Sequence, residues 1–249
     1  MWAQSTSDST AMVRRITSEV SAHISLNKME INMHIFITGT SSGIGKAIAT
    51  KFLAEGHTVT GFDKQEAAIE HPRYVHFVGD VRNKDSYPEV APVDILVNNA
   101  GIQGDDDIAV NLKGVIDITE KYGIHESIKA VLMIGSAGAH SGAEFPEYVA
   151  SKGGVISYTK NVALRIAQYG GTCNSLDFGG VVTDLNRPVM DDPKLWNQIM
   201  DLTPLRRWMS VEETADWAYF MTVTNRFCTG QNILIDGLEY GNAHFVWPE

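Results

Sequence analysis

Cysteine is scarce in this chain of 249 residues, which contains only Cys173 and Cys228. The two residues have no metal-ligand spacing, and neither has a histidine beside it. We therefore interpret them as buried free thiols in a reducing compartment, and we expect neither a structural disulfide nor a metal site. The same interpretation predicts a cytoplasmic protein.

Basic residues are also in deficit, because 20 lysines and arginines face 30 aspartates and glutamates and give a formal net charge of −10. An acidic surface argues against nucleic acid or an anionic membrane as a partner. Long apolar runs are missing as well, since no stretch approaches the roughly 20 residues that a membrane-spanning helix needs. Apolar residues nevertheless make up 44% of the chain, which is enough for one sizeable core.

The first 32 residues differ from the rest of the chain. Their beginning is rich in serine and threonine and lacks the apolar region of a secretory signal. Ile16, Val20 and Ile24 then recur at four-residue spacing, which is typical of a short amphipathic helix. We predict that residues 1–32 are an extension, either flexible or a short helix. No linker or internal repeat divides the remainder, so residues 33–249 are predicted to form a single domain.

A strand, a glycine-rich turn and a helix follow one another at the start of this domain. Residues 33–38 read MHIFIT, a short apolar run with β-branched residues that predicts a buried parallel strand. The sequence TGTSSGIG at 38–45 comes next, and a helical pattern runs from 46 to 55. In this context a glycine-rich turn is typical of a dinucleotide-binding site. A glycine turn without a ligand is the alternative.

Each glycine of the turn has a physical role in such a site. Gly39 permits the tight turn, Gly43 lets a pyrophosphate approach the backbone, and Gly45 lets the helix pack close to the strand. The N–H groups at the helix N-terminus then point toward the phosphates.

The second strand pattern, residues 57–62, ends in Asp63. An acidic residue about twenty positions after the glycine turn can accept hydrogen bonds from the adenosine ribose, and it repels a 2′-phosphate. No lysine or arginine precedes Gly43 in the turn. These observations favour NAD over NADP, although Lys64 directly after Asp63 keeps NADP as the alternative.

The remaining patterns alternate between strands and helices. The predicted later strands are residues 74–78, 93–97, 130–134, 172–176 and 232–235. The predicted later helices are residues 108–122, capped by Asp105, Asp106 or Asp107, a long helix that ends near residue 169, and residues 211–223. This alternation predicts an α/β fold with a doubly wound parallel sheet of about seven strands and helices on both faces.

Tyr148 and Lys152 stand four residues apart at the start of the long helix, so they share one face of it. A free tyrosine has a pKa of about 10, and a neighbouring positive charge favours the phenolate and lowers that value. The pair can therefore act as a general acid and base at the mouth of a cleft. An ordinary surface pair of tyrosine and lysine is the alternative for this motif alone.

Taken together, residues 33–237 resemble the short-chain dehydrogenase/reductase family, a single-domain Rossmann fold. The resemblance rests on motifs in a fixed order: TGxxxGIG at 38–45, Asp80-Val81, NNAG at 98–101, the sequence around Asn111, Ser136, YVASK at 148–152, PLxR-like residues 204–206 and IDG at 235–237. Each motif alone is weak, and their order makes the match specific.

The resemblance implies an NAD(H)-dependent oxidoreductase that interconverts a secondary alcohol and a ketone. Tyr148 is then the general acid and base, Lys152 lowers its pKa and binds the nicotinamide ribose, Ser136 holds the substrate oxygen, and Asn111 anchors a water in a proton relay. The implied cofactor-binding residues are Gly39, Ser41, Ser42, Gly43, Ile44, Gly45, Asp63, Asp80, Val81, Asn99, Ala100, Gly101, Tyr148, Lys152, Val181 and Thr183.

Three departures from the family pattern stand out. Only 12 positions separate Asn99 from Asn111, where the family usually has a considerably longer segment, so we expect an unusually open or reshaped pocket around Asn111. Ser136 and Tyr148 are also 12 positions apart, slightly fewer than is common. Phe178 stands in place of the usual proline after the sixth strand, either as a wall of the nicotinamide site or as a core residue.

The segment 184–203 corresponds to a substrate lid. Its apolar residues Met190, Leu195, Trp196, Ile199 and Met200 suit either closure over a bulky apolar substrate or the packing of an amphipathic helix on the body. The family resemblance also implies a homodimer or homotetramer, and the C-terminal tail with Phe245 and Trp247 is predicted to pack at a subunit contact or over a neighbouring pocket. A non-catalytic dinucleotide-binding sensor on the same fold is the rival function.

Overall fold

A seven-stranded parallel sheet forms the centre of the molecule in the computed structural model, which describes residues 32–143 and 145–241. The spatial order is β3-β2-β1-β4-β5-β6-β7, and every neighbouring pair is parallel. The order reverses between β1 and β4, which opens a crevice at the carboxyl ends of the strands. The strands are β1 His34–Thr38, β2 Thr58–Asp63, β3 Tyr74–Val78, β4 Ile95–Asn98, β5 Ala130–Ile134, β6 Thr172–Phe178 and β7 Asn232–Ile235.

Helices connect these strands. The α-helices are α1 Gly43–Ala54, α2 Val115–Tyr122, α3 Gly138–Ser141, α4 Pro146–Ile166, α5 Arg187–Met190, α6 Pro193–Leu202 and α7 Val211–Tyr219. Short 3₁₀ turns lie at Lys84–Ser86, Ala167–Tyr169 and Asp184–Asn186, and π-helical segments lie at Ile108–Gly114 and Phe220–Thr224.

The core is divided by the sheet into two layers, as expected for strands that are covered on both faces. Ile35 and Ile37 of β1 face the layer of α1 and α7, whereas Phe36 faces the layer of α2 and α4. Successive side chains of a strand point to opposite faces, so the uninterrupted apolar run of β1 supplies both layers. The predicted doubly wound α/β fold is confirmed.

The element boundaries agree closely with the sequence predictions. The ranges of β3, β5 and β7 are those predicted, and the other strands differ by one or two residues at an end. The predicted cap of the helix at 108–122 is wrong, because Asp107 at its start makes no capping hydrogen bond. The first part of that helix is a π-helix, and the Asp107 carboxylate instead accepts from Gly104 N at 3.0 Å.

Several predictions concern residues outside the described ranges. These include nearly all of the extension 1–32 and the tail residues Phe245 and Trp247. Within the described ranges, no helix combines the length and the hydropathy of a membrane span. Cys173 is buried as predicted, but Cys228 is only half-buried, and both thiols are free.

Candidate active site

The glycine turn after β1 packs against the segment that follows β4. Asn99 joins them, because its Nδ2 donates to Thr38 O at 3.0 Å and to Gly39 O at 3.1 Å. The Thr38 hydroxyl in turn accepts from the backbone N–H groups of Asn99 and Ala100, each at 3.0 Å. Gly39 has a φ of +77°, and a Cβ there would lie 2.7 Å from Asn99 Nδ2. Two of the predicted motifs therefore form one tightly packed unit.

The other two glycines of the turn differ in their surroundings. A Cβ at Gly45 would lie only 2.0 Å from Gly39 O, so this glycine is needed for close packing of α1 on the turn. A Cβ at Gly43 would meet nothing nearer than Thr183 Cγ2 at 3.6 Å. Gly43 and Thr183 line a cavity of about 660 Å³, which Lys46 and Arg187 also line.

These features fit a phosphate-bearing cofactor. Ser42 begins α1 without capping it through its side chain, so the first N–H groups of the helix are not satisfied by that hydroxyl. Ile44 packs on the core beneath the turn. Unsatisfied N–H groups at a helix N-terminus form a ready site for phosphate. The adjoining cavity adds no net positive charge, because its lining carries three basic and three acidic side chains: Lys46, Lys51, Arg187, Asp184, Glu212 and Asp216.

Asp63 lies at the carboxyl end of β2, beside the turn. Its Oδ2 accepts from Ser41 N at 2.9 Å and its Oδ1 accepts from Gln65 N at 3.0 Å. Ser41 also donates its hydroxyl proton to Glu66 O at 2.9 Å. The carboxylate that was predicted to bind the ribose is thus oriented by backbone groups at the edge of the crevice.

Asp80 and Val81 follow β3 at the same edge. Arg82 donates hydrogen bonds to both oxygens of the Asp80 carboxylate, with Nε 3.1 Å from each oxygen and Nη2 2.6 Å from Oδ2. These hydrogen bonds hold the pKa of Asp80 below its usual range. Arg82 Nη1 also donates to Asp106 Oδ2 at 2.7 Å, which ties the shortened segment before Asn111 to the end of β3.

Asn111 is fully buried in the π-helical segment, despite the shortened loop that precedes it. Its Oδ1 accepts from Ile102 N and its Nδ2 donates to Ile102 O, both at 2.8 Å. The same Nδ2 lies 3.4 Å from Asp107 Oδ1 and 3.3 Å from Ser151 Oγ on α4. The π-helix, a feature often found at functional sites, therefore brings Asn111 to the helix that carries Tyr148.

Lys152 and Tyr148 lie together at the start of α4. The Lys152 Nζ is 5.8 Å from the centre of the Tyr148 ring and donates to Ile134 O at 2.9 Å. Lys152 is 6% exposed. A Cβ at Gly101 would lie 3.6 Å from Lys152 Nζ and 3.3 Å from Asn111 Oδ1. The NNAG segment, the π-helix and α4 therefore converge at one point.

Ser136 follows β5 and is buried. Its Oγ accepts from Gly138 N at 3.1 Å, and the chain is fastened to β6 where Ala137 N donates to Phe178 O at 2.9 Å. Phe178 itself is buried in the layer of α1 and α7. Of the two interpretations of this phenylalanine, the core residue is the one observed.

Beyond β6, Val181 pairs with Met209 in an isolated parallel bridge, which brings the chain after β6 toward the cavity. The lid segment then forms α5 and α6, and neither helix has a buried residue. Trp196 of α6 contacts Trp208 edge-on, with ring centroids 5.0 Å apart. The lid therefore rests on the body through few apolar contacts.

Two residues near the site were missed from sequence. Asp177 of β6 is fully buried, and its Oδ2 is 2.6 Å from His140 Nε2 of α3. The sequence did contain a signal, because Asp177 lies directly before Phe178 at the end of an apolar strand pattern. An acidic residue is rarely fully buried unless it is paired, so a partner could have been expected. Its partner could not be read from the sequence, since the two are 37 positions apart.

Comparisons with known proteins agree with this fold. A family model described as enoyl-(acyl carrier protein) reductase matches residues 39–237. The chain belongs to the short-chain dehydrogenase/reductase family, and it is an oxidoreductase of the NAD(P)-binding type with a Rossmann fold.

Three similar proteins illustrate the range of the family. The 3-oxoacyl-(acyl-carrier-protein) reductase FabG of Staphylococcus epidermidis is 30% identical, over 84% of this chain and 100% of the relative. The 2-(R)-hydroxypropyl-CoM dehydrogenase of Xanthobacter autotrophicus is 28% identical, over 81% and 96%. The structure of the aldohexose dehydrogenase of Thermoplasma acidophilum superposes with a TM-score of 0.76 at 28% identity, covering 88% of this chain and 98% of that one.

Proposed function

We propose that this protein is an NAD(H)-dependent oxidoreductase that interconverts a secondary alcohol and a ketone, with Tyr148 as the general acid and base. The observation that carries the proposal is the buried Lys152 ammonium beside the Tyr148 ring, with Asn111 close to the same ammonium at Gly101. An ordinary surface pair of tyrosine and lysine would leave the ammonium in water.

Each of these side chains has a role that its surroundings support. Lys152 is held by Ile134 O, and its charge favours the phenolate form of Tyr148. Tyr148 gives a proton to the carbonyl oxygen during reduction and removes it during oxidation. The Ser136 hydroxyl can donate to and accept from the substrate oxygen. Asn111, through the backbone of its π-helix, is suited to hold a water that connects Lys152 with solvent.

The residues of the turn would hold the cofactor. Backbone N–H groups from Ser42 to Gly45 and the hydroxyl of Thr183 would bind the pyrophosphate. Asp80, Val81 and the segment Asn99–Gly101 would line the path from the adenine to the nicotinamide. When bound, the nicotinamide supplies or accepts the hydride.

Asp63 supports NAD as the cofactor. A carboxylate at the end of β2 accepts hydrogen bonds from ribose hydroxyls and repels a 2′-phosphate. NADP remains the alternative because Lys64 lies beside it, and its charge reaches Asp80. Asp63 is fixed by two backbone N–H groups, which favours the first choice.

The named relatives suggest the substrate class. The relatives described above include a 3-oxoacyl-(acyl-carrier-protein) reductase and a hydroxypropyl-CoM dehydrogenase, whose names specify a ketone and a secondary alcohol, each joined to a carrier. The lid of this chain carries Met190, Leu195 and Trp196, which suits a bulky apolar substrate. The alternative function, a dinucleotide-binding sensor, would need no such pocket and no tyrosine and lysine pair.

Titration with NADH and NADPH, followed by nicotinamide fluorescence, tests the cofactor. We expect NADH to bind at least about 10-fold more tightly, as the loss of charged hydrogen bonds and a like-charge contact would give. A panel of ketones that includes 3-oxoacyl thioesters then tests turnover. Binding without any turnover would favour the sensor, and preference for NADPH would reverse the cofactor assignment.

A homodimer or homotetramer is the expected assembly. Leu164 on the outer face of α4 is 81% exposed and Phe227 before β7 is 97% exposed, which would be covered favourably by another subunit. Light scattering of the purified protein measures the mass directly, and a monomer would contradict this expectation.

A further inference from the structure

Asp177 is a buried carboxylate that none of the roles above uses. It is the next-to-last residue of β6, and none of its surface is exposed. Its Oδ2 is 2.6 Å from His140 Nε2, whereas its Oδ1 has no hydrogen-bond partner within the part of the chain that the structure describes. Most buried polar atoms are hydrogen-bonded, so a carboxylate that is only half satisfied requires an explanation.

The backbone beside Asp177 is shaped to accept it. A Cβ at Gly135 would lie 1.8 Å from Asp177 Oδ1, so the carboxylate rests directly on the glycine that precedes Ser136. His140 lies four residues after Ser136 and eight before Tyr148, in α3. The hydrogen bond from His140 therefore fastens the loop between two residues of the active site to the end of β6.

Asp177 and Lys152 also approach the same peptide group, because Lys152 Nζ donates to Ile134 O and the Asp177 carboxylate lies on the next residue, Gly135. Within the described ranges, His140 of α3 and Lys152 of α4 are the titratable groups that act on Asp177. Burial raises the pKa of Asp177, while the hydrogen bond from His140, the nearby Ser175 hydroxyl and the charge of Lys152 act in the opposite direction. Because the folded state binds this proton more tightly than the unfolded state, ionisation of Asp177 weakens the fold as the pH rises above the unfolded value. A neutral side chain would be better for stability alone.

We propose that Asp177, held by His140, is a positioning residue of the active site that fixes the Ser136 loop and partly offsets the positive charge of Lys152 at Tyr148. The inference deepens the proposed function and rests on Tyr148 as the acid and base. A negative charge beside Lys152 weakens the field that favours the phenolate. The carboxylate therefore tunes how readily Tyr148 gives up its proton, and the imidazole keeps it in register.

Asp177→Asn is the main test, because it keeps the shape and an acceptor for His140 but removes the charge. Tyr148 can be titrated without substrate from the ultraviolet absorbance of its phenolate, as the difference between each protein and the same protein with Tyr148→Phe. We expect the Tyr148 titration of Asp177→Asn to move to lower pH. We also expect kcat to fall about 10-fold, as a displaced or mistuned acid and base would give. The melting temperature should stay equal or rise.

Asp94→Asn is the matched control, since Asp94 also contacts a lysine, Lys129, at 2.8 Å and accepts from His34 N at 2.8 Å, but at the amino edge of the sheet. We expect it to lower stability and to leave the Tyr148 titration unchanged. An unchanged Tyr148 titration in folded Asp177→Asn would overturn the proposal. A lower melting temperature, or a variant that does not fold, would also overturn it, because Asp177 would then be needed for stability.

A second pair of variants tests the imidazole. His140→Gln keeps an N–H that can donate to Asp177 and should retain several-fold more activity than His140→Ala, with NADH affinity within about two-fold in both. Equal losses in the two variants would count against the pair. If the unchanged protein turns over no ketone, the alcohol and ketone proposal fails, whereas a shifted Tyr148 titration in Asp177→Asn still supports the positioning role.

Discussion

The cofactor side and the catalytic side of the crevice differ in the groups that form them. On the cofactor side, the turn at 38–45 and the segment at 98–101 meet through backbone groups and glycines, with almost no free volume between them. On the catalytic side, Asn111, Ser136 and Lys152 come from separate elements, and a backbone group holds the side chain of each. We therefore expect added side-chain atoms to disrupt the cofactor side, and the removal of side-chain groups to disrupt the catalytic side.

This difference predicts that cofactor binding and turnover can be altered separately. The cofactor side depends on packing that any Cβ at Gly39 or Gly45 would disturb. In the proposed function, the catalytic side depends on charges and protons, so we expect that a substitution there can leave the packing intact. Variants on the two sides should therefore separate affinity and stability from turnover.

The largest expected effect is on the catalytic side alone. Tyr148→Phe removes one hydroxyl, and we expect kcat to fall by about 10²–10⁴-fold, the usual contribution of a general acid and base. NADH affinity should stay within about two-fold. Tyr158→Phe is the control on the same helix, where the hydroxyl donates to Glu120 at 2.8 Å, and it should keep its activity. Substantial turnover by Tyr148→Phe would contradict the assigned role.

Gly45→Ala tests the cofactor side by adding one methyl group. That atom would lie 2.0 Å from Gly39 O and 2.3 Å from Asn99 Nδ2, so we expect a loss of about 1–3 kcal/mol in the free energy of unfolding and weaker NADH binding. The control is Gly153→Ala in α4, where a Cβ meets nothing within 4 Å, and alanine should stabilise the helix slightly. Urea unfolding compares the two, and equal stability would contradict the packing argument.

Asp63→Ala sharpens the comparison, because it changes a side chain on the side that is otherwise built from backbone. We expect weaker NADH binding and less repulsion of NADPH, so the dissociation constant for NADPH divided by that for NADH should fall by roughly 10-fold. Asp63→Asn still offers one acceptor to Ser41 N and should fall between. An unchanged ratio would remove Asp63 as the selector.

The smallest effect is expected outside both sides, at the capping box of α7. Ser210 Oγ accepts from Glu213 N, and Glu213 Oε2 accepts from Ser210 N at 2.9 Å. Ser210→Ala should lower the free energy of unfolding by about 0.5–2 kcal/mol without changing turnover. An effect on kcat would mean that the lid and α7 are coupled to the catalytic side.

The same cap has a pH dependence with a definite sign. Hydrogen bonds from Arg207 and the Ser210 backbone lower the pKa of Glu213 to about 2, below the unfolded value of about 4.3. The contribution of ionised Glu213 to the free energy of unfolding is therefore present above the unfolded pKa, and it is lost as the pH falls toward the folded pKa. Urea midpoints of Glu213→Gln and the unchanged protein should differ modestly at neutral pH, because the pair is exposed, and converge near pH 2.

Much of this molecule follows from local pattern. The apolar runs of β3 and β5 and the glycine turn were recognisable because each depends on neighbours within a few residues. Asn111 was harder, because a π-helix and two hydrogen bonds to Ile102 compensate for the short segment before it. That compensation has no local signature.

The sequence by itself determined the α/β order of elements and the family. It also selected Tyr148, Lys152 and the glycine turn as candidate site residues, since spacing along one helix or one turn is enough to propose them. Only the tertiary structure decided the place of Phe178 in the core and the meeting of Asp177 with His140. Both depend on which face of β6 a side chain occupies and on what another part of the chain brings to that face.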